Sequence, residues 1–185
     1  MTKLGSYIKY RWKAKGRHGT HSPFVYAFVE DVLHDKRNFY CSEFIKQESH
    51  AQQLEVSLSL FLFKAVHFLQ PEAVTLLGDT GKYSAIIKAA GHKIDVRMGS
   101  SAAGPGKSRK AIIIDPASAG SDIINQLLSD DNDAFSIIML NPHRQESLWQ
   151  AAISHTNVLM SLDCWKAGLL LRDGSFKIKQ HFYLR

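Results

Sequence analysis

Cysteine is nearly absent from this chain. Cys41 and Cys164 are the only two in 185 residues, too few and too far apart for a disulfide framework or a thiolate metal site. That scarcity makes a reducing, cytoplasmic setting the expectation. Long hydrophobic runs are lacking too. The longest candidate, Val56 to Leu69, is interrupted by Ser57, Ser59, Lys64 and His67, so no segment is expected to span a bilayer. Positive charge at the amino terminus has no apolar stretch behind it, which does not read as a secretory signal. There are no internal repeats and no low-complexity tract. A chain of this length suits one domain, residues 1–185, with a sizeable core.

Acidic residues are missing from the start of the chain, the first being Glu30. Six of the 23 basic residues, Lys3, Lys9, Arg11, Lys13, Lys15 and Arg17, precede it, leaving 17 to balance the 17 acidic ones. The net charge of +6 therefore sits between Lys3 and Arg17. With Tyr7, Tyr10 and Trp12 interleaved, this arm suits an anionic partner such as nucleic acid. The plainer alternative is a solubilising surface helix whose aromatics pack on the domain.

The first 48 residues read as a helical extension. Ser22-Pro23 is a helix start, with serine as cap and proline at the first helical position. Phe24, Phe28 and Val32, flanked by Val25, Val29 and Leu33, follow at helical spacing. Asn38-Phe39-Tyr40-Cys41 forms an aromatic connector. The spacing of Leu54, Leu58, Phe61, Leu62, Ala65 and Leu69 then predicts one helix over about 49–69, closed by Pro71.

From residue 73 short apolar runs alternate with helical segments. The runs are AVTLL (73–77), KIDVRM (93–98), AIIID (111–115), FSIIML (135–140) and VLMSLD (158–163). Helices are expected at 82–90, 121–129 and 143–154. This pattern implies an α/β, Rossmann-like core over 49–185 with a buried, mostly parallel sheet. The tail is expected to be an antiparallel hairpin of 168–172 and 176–184 around Asp173-Gly174. One crossover breaks the rhythm: GSSAAGPGKSRK, between Met98 and Ala111, is too short and too rich in Gly, Ser and Pro to hold a helix. The strands on either side are not sheet neighbours, or a bare loop joins them. Something ordinarily found between such strands is missing.

Candidate chemistry is sparse. Gly78-Asp79-Thr80-Gly81 fits a strand-to-helix turn of the kind that lets a ligand approach backbone N–H groups. The third small residue of G-x-G-x-x-G is lacking at that spacing, and a plain tight turn explains the loop equally well. Gly104-Pro105-Gly106-Lys107-Ser108 lacks the glycine, entering strand and following helix of a P-loop. Asp115 ends its strand alone, and FSIIML ends in Asn141-Pro142-His143 with no acid, a poor donor set for a divalent cation. His18 and His21 lie together before a helix start and are candidates for orienting or deprotonating a substrate. His143 stands alone after a strand.

Residues 7–26, YIKYRWKAKGRHGTHSPFVY, resemble the opening of a bacterial group of class I S-adenosylmethionine-dependent methyltransferases related to the O-methyltransferases. That group carries an RHG-x-HSPF signature. The similarity continues through VLHDKRNFY, LFKAVHFLQPEAVTLLGDTG, AIIIDPAS, SIIMLNPHRQ and KQHFYLR, covering most of the chain. It implies a seven-stranded sheet whose last strand is antiparallel, with Gly78, Asp79, Thr80 and Gly81 beneath the methionine part of S-adenosylmethionine. It also implies departures. Leu76-Leu77-Gly78 lacks the acid that precedes the family's cofactor loop, and Met98 stands where an acid grips the ribose hydroxyls. Two charge-assisted hydrogen bonds worth about 1.5–3 kcal/mol each are lost there. GSSAAGPGKSRK replaces the unit on the adenine side, a Gly-rich segment after the first helices is gone, and Leu140-Asn141 replaces paired acids, leaving Asp115.

The resemblance implies methyl transfer by direct attack of a substrate nucleophile on the sulfonium methyl, with Asp115, His18 and His21 around the acceptor. The departures imply a relative that has lost this chemistry and acts as a binding or assembly module. A third expectation is nucleic-acid binding through the basic arm.

Overall fold

The structure, a computed structural model, describes residues 3–15, 22–37, 39–99, 109–129 and 135–185. Five of the apolar runs become strands of one sheet: β1 (Ala73–Leu77), β2 (Asp95–Met98), β3 (Lys110–Ile114), β4 (Phe135–Leu140) and β5 (Met160–Asp163). With β6 (Ala167–Leu171) and β7 (Gln180–Tyr183), the order is β2-β1-β3-β4-β6-β5-β7. β2, β1, β3 and β4 pair in parallel, and so do β5 and β7. Only β6 opposes its neighbours, β4 and β5. The molecule is an α/β protein with a mixed, mostly parallel sheet compatible with a Rossmann-like fold.

Eight α-helices accompany the sheet among the described residues: α1 (Lys3–Lys13), α2 (Pro23–Phe28), α3 (Ser42–Ala51), α4 (Val56–Leu69), α5 (Ser84–Ala89), α6 (Pro116–Ala119), α7 (Ser121–Ser129) and α8 (Glu146–Ser154). The Ser22 side chain accepts from the Val25 N–H at 3.5 Å, capping α2 as expected, and a π-helical turn, Val29–Leu33, extends it. Strand alternation divides the core. Val74, Ile113, Ile138 and Leu169 join Phe28, Ile45, Leu62, Val66 and Ile86 on one face. Ile112, Ile114, Ile137 and Leu170 join Ile124, Leu128, Leu148 and Trp149 on the other. Side chains two apart share a face, so consecutive isoleucines feed both layers. No helix among the described residues is long and apolar enough to cross a membrane.

Three expectations need correction. The helix over 49–69 is two helices, α3 and α4, parted where Gln53 takes a left-handed conformation (φ 53°). That turn lets Ile45 on α3 and Leu58 and Leu62 on α4 enter one core instead of running along a single axis. Secondly, 168–172 and 176–184 do not form a hairpin. β6 folds back on β5 through Cys164-Trp165-Lys166, and β5 then separates β6 from β7. Thirdly, the antiparallel strand is the sixth, while the last, β7, runs parallel to β5. The strands bordering GSSAAGPGKSRK are not neighbours, since β1 lies between β2 and β3.

Candidate functional site

The carboxyl ends of β1, β2 and β3 lie at one edge of the sheet, and this edge gathers six of the residues singled out from sequence. Gly78 takes φ 72°, and a Cβ there would stand 2.5 Å from Ser118 Oγ and 2.8 Å from the Asp115 carbonyl. Glycine is required both for the left-handed backbone and for the close approach of the β3–α6 turn. Asp79 donates its N–H to Ser118 Oγ at 2.7 Å. Thr80 is fully buried and its hydroxyl donates to the Leu77 carbonyl at 3.1 Å, with the Ile113 carbonyl at 3.4 Å. A Cβ on Gly81 would overlap the terminal methyl of Met98, which lies against this glycine. The Asp79 carboxylate pairs with Lys82 at 2.6 Å. Asp115 caps α6, its Oδ1 accepting from the Ala117 N–H at 3.1 Å.

Gly78, Asp79, Thr80, Gly81, Met98 and Asp115 are therefore neighbours. His18 and His21, with the Gly104–Ser108 segment, lie outside the described residues. What the gathered groups offer a ligand is limited. The Asp79 N–H and both carboxylates have partners within the chain, and a methionine methyl covers Gly81 where an incoming group would meet bare backbone. Met98 accepts no hydrogen bond worth counting from a ribose hydroxyl. This donor set does not fit a firmly held nucleoside cofactor. Beneath the loop, burial, aided by the charges of Asp115, Glu55 and Asp79, pushes the Tyr83 phenol up to about 12.

Farther along the same edge lies a second cluster. After β4, Asn141 takes a left-handed conformation (φ 48°) and a 3₁₀ turn, Pro142–Arg144, carries His143. His143 Nε2 is 3.0 Å from each oxygen of Asp163, and Nδ1 is 3.0 Å from Glu146 Oε2. Asp163 ends β5, is fully buried, and accepts the Trp165 N–H at 2.9 Å. The indole of Trp165, itself at φ 65°, stacks on the His143 ring at 4.3 Å. Tyr10 on α1 closes the cluster. Its hydroxyl donates to the Leu184 carbonyl, with the Asp163 carbonyl 3.2 Å away.

Burial by itself would lower the His143 pKa, but the hydrogen bond and charge of Asp163, then those of Glu146, outweigh it and the net shift is upward. When protonated, His143 can donate one N–H to Asp163 and the other to Glu146, which clamps the turn after β4 to the end of β5. His181 beside it differs: burial lowers its pKa, Nδ1 lies 2.8 Å from Ser161 Oγ, and Nε2 is buried without a hydrogen-bond partner. No three His, Cys, Asp or Glu side chains among the described residues are grouped to hold a metal ion.

Sequence reasoning missed Asp163, hidden as the last letter of VLMSLD, and Ser118, and it took His143 as solitary. The signal was in the topology. β4 and β5 run in the same direction on either side of β6, so Asp163 and the turn after Leu140 reach the same edge and meet across the end of β6. Among known proteins, no family model, curated protein or solved structure matches the chain.

Proposed function

We propose that this chain is a class I methyltransferase-like domain that keeps the architecture, has given up S-adenosylmethionine-dependent methyl transfer, and works as a binding module. The observation carrying this reading is the closed state of the Gly78–Gly81 loop. Ser118 takes the Asp79 N–H, Met98 covers Gly81, and Asp115 caps a helix. Support for the architecture comes from the parallel β2-β1-β3-β4 block and the antiparallel β6 beyond it. If one strand–helix unit is missing between Met98 and Ala111, an antiparallel strand expected seventh falls sixth, which is the place of β6. Methyl transfer would need a cofactor held by groups that are already engaged and a base that Asp115 does not supply. Equilibrium dialysis of the whole chain against S-adenosylmethionine tests this: no retention above the free concentration is expected, and saturable retention would restore the enzyme.

A second reading concerns what the module binds. Tyr10 and Ala14 bury one side of α1 and its exit, yet Trp12 remains 89% exposed and Ile8 50%. Lys9, Arg11, Lys13 and Lys15 surround them and are exposed. An aromatic ring standing free among cations is the chemistry of a base-stacking, phosphate-contacting surface, so the partner we favour is single-stranded nucleic acid. Retention on an oligonucleotide column that falls as salt rises is expected. Retention unchanged in a variant carrying Lys9→Gln, Arg11→Gln and Trp12→Ser would remove this reading.

A further inference from the structure

We propose that a cavity at the amino-terminal edge of the sheet, opposite the Gly78 loop, binds a small monoanion with a flat or chain-like apolar body, such as an aryl or short acyl carboxylate. The cavity measures about 350 Å³ and opens where β3 and β4 begin and β6 ends. Three phenylalanines from separate parts of the chain form one of its walls. Phe24 of α2 meets Phe68 of α4 edge to face at 5.5 Å and Phe176, after β6, at 5.4 Å. All three rings are only partly buried and line the cavity. Covering their exposed surface is what an apolar ligand body would gain.

Charge then selects among apolar ligands. Arg109 lines the cavity, is exposed, and has no ion-pair partner among the described residues. Its guanidinium is a planar fork suited to a carboxylate or sulfonate. Lys110 lines the cavity beside it. The one carboxylate in the lining among the described residues, Asp173, is turned to its own loop, where Oδ1 accepts the Ser175 N–H at 2.9 Å. A cavity with an aromatic wall and, among the described residues, one engaged acid and a guanidinium without an ion-pair partner favours an amphipathic anion over a cation or a sugar.

The proposal does not depend on the state of the Gly78 loop. It is tested with two fluorescent probes of nearly one shape, 8-anilinonaphthalene-1-sulfonate, which is anionic, and N-phenyl-1-naphthylamine, which is neutral. Titrated into the folded wild-type chain, both should saturate at one site, the sulfonate several-fold more tightly. Arg109→Gln should weaken the sulfonate fivefold or more and leave the amine unchanged. Ser175→Trp, at an exposed lining position, should block both. Decanoate should displace both probes from the wild type. An unchanged thermal midpoint confirms that the variants remain folded. Failure to saturate, a sulfonate affinity indifferent to Arg109, or probe binding indifferent to Ser175→Trp would each overturn the proposal.

Discussion

The backbone N–H of Asp79 donates to the hydroxyl of Ser118 at 2.7 Å, tying the loop after β1 to the turn after β3. Both loops stand where a doubly wound sheet presents its ligands. Here they bind one another, and Gly78 is the residue that lets them meet.

Gly78→Ala should therefore destabilise the fold by about 1–3 kcal/mol, from the left-handed backbone together with overlap on Ser118 and the Asp115 carbonyl. Gly81→Ala should cost less, under about 1 kcal/mol, because its near neighbour among the described residues is the flexible end of the exposed Met98. Urea midpoints of the two variants check the ordering, and an equal loss would show that Met98 cannot move aside.

Gly168 and Trp149 form a second close pair, for a Cβ on Gly168 would stand 2.5 Å from the indole Cη2. The ring is fully buried against β6, and overpacking of this kind costs about 1–3 kcal/mol. In a Trp149→Phe background the added methyl has room, so the double-mutant cycle should give a clear coupling energy. Additive effects would mean that the strand shifts instead.

The His143 clamp makes stability depend on pH with a definite sign. Its folded pKa lies above the unfolded value near 6.5, so the folded chain holds the proton more tightly. The stabilisation is complete below about pH 6 and is lost as pH rises through the folded value. His181, with its pKa lowered by burial, works in the opposite direction, destabilising the fold as acid protonates it. His143→Gln isolates the first effect. Its deficit in thermal midpoint against wild type should be large near pH 5.5 and shrink by about pH 8.5, and a deficit constant with pH would contradict the clamp.

On α1, Trp12→Ser should leave stability within about 0.5 kcal/mol, since the ring is 89% exposed. Tyr10→Phe should destabilise, because it strips the buried donor from the Leu184 carbonyl. Chemical denaturation of the two variants separates the docked side of the helix from its free side.

Much of this fold is legible in the sequence because its central strands, β3 to β6, are buried or nearly so on both faces. AVTLL and FSIIML have the boundaries expected of them, and α7 spans the expected 121–129. The split of α3 from α4 was not legible, since Gln52-Gln53-Leu54-Glu55 contains neither glycine nor proline and Gln53 adopts its left-handed turn for the sake of packing. The β6–β7 relation was hidden because a strand's partner is set by the whole sheet, and the turn at Asp173-Gly174 looks the same whether or not it closes a hairpin. In the site, Gly78 and Asp115 stand out at strand ends and Met98 through the family resemblance, and the sheet brings the three to one edge. The Asp163–His143 contact joins residues 20 apart through tertiary structure alone, and local pattern carries no trace of it.

The central claim is that the Gly78–Gly81 loop no longer holds S-adenosylmethionine. Isothermal titration of the whole chain with that compound tests it most directly, with Met98→Asp run beside the wild type to supply the missing ribose acceptor. The account predicts no binding heat from the wild type at cofactor concentrations up to about a millimolar, the weak end of ordinary affinities. A saturable micromolar isotherm from the wild type would contradict it.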